Sequence, residues 1–177
     1  LGNRTAHFLA LARGEDEREV IALSVDKSLS REVTFDQDII KPGELLVELQ
    51  RQVESVTERL RAHGLAARTI QIKVRDARFR TATRSRSLAL PTTSTQLVYK
   101  QARALLEKWL QDHHNTPVRL LGVGVSGLEQ PDSRGIDYDS AEQKTLDRTL
   151  DEIRRRFGED KATHARALRP AKKGVVE

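Results

Sequence analysis

The chain has no cysteine, so a disulfide framework and a thiolate metal site are both excluded, and a reducing compartment is compatible. It has no long apolar run. The stretches Phe8 to Ala12 and Val20 to Leu23 are far too short to span a bilayer, and no charged segment precedes a signal-like apolar stretch. No membrane is expected as a partner, and the cytoplasm is the default expectation. Aromatic residues make up 4% of the sequence. What is present in excess is positive charge: Lys and Arg outnumber Asp and Glu by 31 to 26, for a net charge of +5 over 177 residues. That balance favours a polyanion as partner where the cations cluster. The length suits one well-formed core with appendages. Opening on Leu1 close to a helix reads as a piece excised from a longer chain.

Hydrophobic periodicity orders the elements. Residues 4–12 read as a helix tail stopped by Gly14, and residues 15–26 as an extended linker. Leu29, Val33 and Phe35 alternate with polar residues over 27–35, which predicts a strand, with Arg31 on the apolar parity. Pro42 opens a helix whose stripe is Leu45, Leu49, Val53, Val56 and Leu60, closed by His63-Gly64. Ile70, Ile72 and Val74 alternate with Gln71, Lys73 and Arg75 in a second strand. A β-prone stretch from Arg78 to Leu88 alternates less well and completes a hairpin. Pro91 and residues 92–95 start a second helix carrying Leu97, Ala102, Leu105, Leu106, Trp109 and Leu110. Val118 to Val125 is a last apolar strand, with Gly122 and Gly124 marking close backbone approach.

The order β-α-β-β-α-β predicts an α+β, ferredoxin-like domain: a four-stranded antiparallel sheet with two helices on one face and the other face open. Beyond it, residues 129–139 read as a loop. Ser140 and Gln143 suit a capping box for a C-terminal helix carrying Leu146, Leu150, Ile153 and Phe157 and stopped by Gly158. The remainder to Glu177 reads as a basic, poorly ordered tail.

The strongest chemical signal is the hairpin, where Arg68, Lys73, Arg75, Arg78, Arg80, Arg84 and Arg86 accompany one acid, Asp76. Phosphates are the natural counterpart, and Thr81, Thr83 and Ser85 add hydroxyls that bond phosphate oxygens without reading bases. A solvated basic hairpin is the bland alternative. Stacking bases across such a sheet needs aromatics, and only Phe79 is available there, a residue more at home in a core. Asp36 and Asp38 read as helix-start acids rather than metal ligands, and adjacent His113 and His114 cannot clasp one metal together. The run from Gly122 to Gly127 lacks the lysine and the strand-turn-helix setting of a nucleotide loop. No serine has a base and an orienting group around it in the sequence.

Four separated stretches then resemble the bacterial DNA polymerase IV (DinB) group of Y-family polymerases. They are Ala12-Arg-Gly-Glu-Asp-Glu-Arg, Lys27-Ser-Leu-Ser-Arg-Glu-Val-Thr-Phe-Asp-Gln-Asp-Ile, Thr81-Ala-Thr-Arg-Ser-Arg-Ser-Leu and Val118-Arg-Leu-Leu-Gly-Val-Gly-Val-Ser-Gly-Leu. The resemblance implies that residues 1–14 end a thumb, 15–26 form a tether, 27–128 form a little finger, and 129–177 are a C-terminal loop, helix and tail. It implies a domain that lies in the major groove of primer-template DNA and grips both backbones without sequence specificity, in an error-prone translesion polymerase. The positions matching that role are Ser28, Ser30, Arg31, Lys73, Arg75, Thr81, Thr83, Arg84, Ser85 and Arg119. The family's catalytic carboxylates, which bind magnesium, belong to a palm that this chain lacks. No catalytic residue, metal ligand or cofactor is therefore expected here, and magnesium belongs to the parent polymerase. The polymerase core in cis is a further expected partner. A sliding-clamp peptide is not evident, since neither Gln130 nor Gln143 is followed by Leu-Phe. Two other readings stay open: a module docking its open sheet on the polymerase core or a replication protein, and a small ferredoxin-like phosphatase, for which no anion loop is visible.

Overall fold

The computed structural model describes residues 5–16, 18, 27–131, 141–158 and 161–167. Helix α1 spans Thr5–Ala12 and ends at Gly14, whose φ of +80° a glycine adopts without a Cβ penalty. The linker lies mostly outside the described residues, as does Ser140 of the expected capping box. The central elements are β1 (Ser28–Ile39), α2 (Pro42–Ala62), β2 (Ala66–Asp76), β3 (Thr81–Thr92), α3 (Thr95–Asp112) and β4 (Val118–Glu129), followed by α4 (Ala141–Phe157) and a short 3-10 turn at Ala165–Ala167. The predicted β-α-β-β-α-β order is the observed one, and the fold is α+β.

The sheet runs β1-β4-β2-β3, every neighbouring pair antiparallel. β4 therefore slots between β1 and β2, and β2 between β3 and β4, so each strand-helix-strand unit is split by a third strand. Pro42 sits in the first turn of α2, where its missing N–H costs nothing. Ser94 begins α3 by accepting a hydrogen bond from the Leu97 N–H. Leu45, Leu49, Val53, Val56 and Leu60 of α2 and Val98, Ala102, Leu106 and Trp109 of α3 face one side of the sheet. There they meet Leu29, Ile70, Ile72, Val74, Leu121, Val123 and Val125, all buried. Gln52 reaches through this layer to the Leu121 carbonyl at 2.9 Å, so its amide nitrogen is not left dry.

Two expectations are corrected. Asp36 and Asp38 are not helix-start acids: β1 continues through both to Ile39, and α2 begins only at Pro42. Nor is the region past α4 a loose tail throughout. Residues 161–167 return to α2, where the buried Glu54 accepts from Arg154 at 2.5 Å, the Thr163 hydroxyl at 2.7 Å and the His164 N–H at 3.0 Å. A second cluster ties α4 to the helix layer: Arg61 pairs with Asp151 at 2.6 Å, and Asp147 accepts the Thr95 N–H at 3.1 Å. The only buried residues of α4 are Asp147 and Arg154, so this helix docks through charge rather than apolar burial.

Candidate nucleic-acid interface

Side chains paired across an antiparallel sheet share a face. Because Ile70, Ile72 and Val74 point into the helix layer, their neighbours Thr69, Gln71, Lys73 and Arg75 point out of it. The register then fixes four rows on the open face. The first is Ser28, Ser126, Thr69 and Ser87; the second Ser30, Gly124, Gln71 and Ser85; the third Glu32, Gly122, Lys73 and Thr83; the fourth Thr34, Leu120, Arg75 and Thr81. The face is thus made of short hydroxyls, with two glycines at its centre.

The glycines matter through space. A Cβ on Gly122 would stand 2.7 Å from Cγ of Glu32, and one on Gly124 would stand 3.4 Å from Cβ of Ser30. The gap lets Lys73 cross the strand to Glu32, its Nζ 3.0 and 2.9 Å from the two carboxylate oxygens. A depression lined by Ser28, Ser30, Glu32, Gln71, Lys73 and the Gly122–Ser126 backbone occupies the same ground. Thr69 and Ser87 hydroxyls meet at 2.9 Å, and Arg75 donates to the Thr81 hydroxyl at 2.9 Å.

The sequence-predicted residues do not all meet here. Ser28, Ser30, Lys73, Arg75, Thr81, Thr83 and Ser85 do. Arg84 and Arg31 do not: Arg84 pairs with Ile72 and Arg31 with Val123, which puts both on the helix side. Arg84 reaches Asp112 of α3 at 3.0 Å, Arg31 reaches Ser55 of α2 at 2.9 Å, and Arg86 likewise reaches Gln101 at 3.0 Å. β1 and β3 are the edge strands, and their inward positions carry long cations that reach the helix rims. Arg119 stands at a third location, beyond the register shift of β4, paired with Asp38 at 3.1 Å. Its guanidinium lies over the ring of Phe79, 4.6 Å from the centroid. Phe79 is not core: it is 64% exposed in the β2–β3 turn.

Glu32, Gln71, Thr69, Thr34 and Ser126 escaped the sequence reading, although the clean alternation around Lys73 already assigned Thr69 and Gln71 to its face. Elsewhere, Asp76 is drawn two ways. Its partial burial raises the carboxyl, and hydrogen bonds from Arg80 and Arg78 outweigh that and lower it. Gln143 lies inside α4, not in an extended peptide. Among the described residues no three His, Asp or Glu side chains gather in a metal-binding group, and no helix is long and apolar enough to cross a membrane.

The sheet is covered on one side by the two helices and presents hydroxyls, an amide, two cations and the Glu32 carboxylate on the other. The chain belongs to the family whose model is described as the impB/mucB/samB family C-terminal domain, which matches residues 26–138, and this is the little finger domain of Y-family DNA polymerases. A DNA polymerase IV of Dehalococcoides mccartyi strain CBDB1 is 37% identical over 159 residues, covering 89% of this chain and 40% of the relative. One of Streptomyces coelicolor is 45% identical over 131 residues, covering 72% of this chain and 26% of the relative. The chain therefore spans well under half the length of these relatives. A solved Y-family DNA polymerase chimera of Dbh and Dpo4 shares the fold, with a TM-score of 0.58 at 18% identity over 73% of this chain and 36% of its own.

Proposed function

We propose that the open sheet face grips the backbones of duplex primer-template DNA in the major groove, without reading sequence, on behalf of an error-prone translesion polymerase. The observation that carries this is the make-up of the face. Short hydroxyls on all four strands offer hydrogen bonds to phosphate oxygens, the glycines keep the centre low, and Lys73 and Arg75 supply charge. Hydroxyl and cation contacts to phosphate position a protein on a duplex and carry no base information. Ser28, Ser30, Lys73, Arg75, Thr81, Thr83 and Ser85 are the proposed contacts. Arg119 serves at the end of the sheet, and Arg31 and Arg84 act only as charges on the far rims.

On this reading residues 27–128 are the binding domain, preceded by the end of a thumb and a tether, and the polymerase core in cis is its partner. Nucleotidyl transfer and its magnesium ions belong to a palm domain outside this sequence. The relatives' printed name, DNA polymerase IV, supports that assignment for the whole protein.

Fluorescence anisotropy of the chain with two duplexes of unrelated sequence, repeated over a salt series, tests the reading. Equal affinities falling steeply with salt are expected, because each neutralised phosphate adds about 0.9 to the slope of log K against log salt. Affinity insensitive to salt would instead assign the face to a protein partner.

A further inference from the structure

The β2–β3 turn displays an aromatic side chain that the core does not bury. Phe79 holds a φ of +62°, a backbone conformation that an aromatic residue adopts only at a cost. The turn is imposed by Asp76. Its Oδ1 accepts the backbone N–H groups of Arg78 and Arg80, each at 2.9 Å, its Oδ2 accepts Arg80 Nε at 2.7 Å, and its carbonyl accepts the Phe79 N–H at 3.0 Å. The result of this scaffolding is a ring left 64% exposed. Strain that leaves an apolar side chain in water is not repaid by burial, and strain of this kind gathers at binding sites.

The surroundings indicate the ligand. One face of the ring is backed by the Arg119 guanidinium, itself held by Asp38. The turn follows directly from the row of Arg75 and Thr81, the last row of the open face. Arg80, the next residue along the chain, is ion-paired with Asp76 at 2.7 Å. A flat π-surface backed by a cation fits a nucleobase: every base has a π-face, and a cation beneath an aromatic ring adds to the attraction.

We infer that Phe79, backed by Arg119, is a stacking platform for an unpaired nucleobase where a DNA strand leaves the duplex lying on the open face. The inference rests on the DNA-gripping reading above. Duplex phosphates meet the hydroxyl rows, and the first base beyond the pairing meets the ring. A partner protein's aromatic or apolar group is the competing occupant, and it would show no dependence on unpaired DNA.

The test is anisotropy of the full chain with a blunt duplex and with the same duplex bearing a short single-stranded extension, alongside quenching of a fluorescent purine analogue at the first unpaired position. The wild-type chain should prefer the extended duplex and quench the analogue. Phe79→Ala should lower affinity for the extended duplex by roughly ten-fold while leaving the blunt duplex unchanged. Phe79→Trp should keep both signals. Phe79→Gly should remove them while raising the melting temperature, because glycine accepts the left-handed backbone freely, which separates loss of the platform from loss of the fold. Intact blunt-duplex binding with no preference for the extension, or equal loss on both duplexes in Phe79→Ala, overturns the platform alone. Blunt-duplex binding that is absent or insensitive to salt overturns the DNA-gripping reading, and the platform with it.

Discussion

Replacing Glu32 with Gln should tighten DNA binding. Glu32 is the one carboxylate in the four rows of the open face, and it holds Lys73 Nζ through contacts of 3.0 and 2.9 Å over the gap left by Gly122. The Lys73 and Glu32 side chains are 31% and 40% exposed, so the pair itself contributes no more than about 1 kcal/mol to folding. Glutamine keeps the shape of glutamate and its place above Gly122. What changes is charge. A phosphate held about 6 Å from the carboxylate feels a repulsion of about 0.7 kcal/mol at the dielectric constant of water and about 3 kcal/mol at the value typical of a protein surface. Removing it raises affinity by between about 3-fold and 100-fold at low salt.

Salt gives the sharper signature. With Lys73 free to neutralise one more phosphate, the slope of log K against log salt should steepen by about 0.9. The advantage of Glu32→Gln over wild type should then shrink by about 3.5-fold between 50 and 200 mM salt. Anisotropy titrations at matched salt steps measure both quantities. An unchanged slope with unchanged or weaker affinity would mean that no phosphate approaches Lys73, and the open face would no longer be the DNA side.

The same logic gives a control on the other face. Asp112→Asn frees Arg84 from its 3.0 Å partner on α3, and titration of the same duplexes should show affinity and salt slope close to wild type, because Arg84 points away from the rows. Gly122→Ala forces Glu32 aside, since the new methyl would lie 2.7 Å from its Cγ. Urea unfolding should show a loss of about 1 kcal/mol or less, because a flexible side chain can move, whereas DNA affinity should fall as the centre of the face rises. Glu54 predicts the acid behaviour. Burial pushes its carboxyl up, but hydrogen bonds from His164, Thr163 and Gln50 prevail and hold it at about 2, against an ordinary 4.5. Its contribution is present above pH 4.5 and lost as the pH falls towards 2, on the order of 3 kcal/mol in all. Urea unfolding from pH 7 down to 2.5 should show that loss, and Glu54→Gln should be less stable at pH 7 with a flatter profile.

Much of the architecture was legible because it is local. The stripe of α2, the Pro42 start and the alternation of Ile70, Ile72 and Val74 each express one element against one buried side, and each was placed within a few residues. Arg31 on the apolar parity of its strand was read correctly, yet its consequence, a guanidinium on the helix side reaching Ser55, required the sheet register. β3 resisted for a related reason. It alternates Thr or Ser with Arg rather than polar with apolar, so hydropathy cannot tell its faces apart, and only pairing with β2 sends Thr83 outward and Arg84 inward. Contacts distant in sequence were out of reach altogether. The ion pair of Asp38 with Arg119 and the return of His164 to Glu54 link residues 81 and 110 positions apart.

The division of charge between the two faces bears on how the proposed grip on DNA would avoid choosing a sequence. Had Arg31, Arg84 and Arg86 projected from the open face, long cations would have stood among the groove edges, where arginine reads guanine through paired hydrogen bonds. Instead those side chains are turned to the helix rims and held by Ser55, Asp112 and Gln101. Apart from Gln71, Lys73, Arg75 and Glu32, the polar side chains of the face are serine and threonine, which lose little side-chain entropy on contact and are too short to probe base edges from a backbone-tracking position. The one forward lysine is restrained by Glu32. On the proposed function, weak, uniform contacts of this kind would let a duplex of any sequence, or one carrying a damaged base, occupy the same surface. The apolar layer of α2 and α3 behind the sheet keeps that surface fixed.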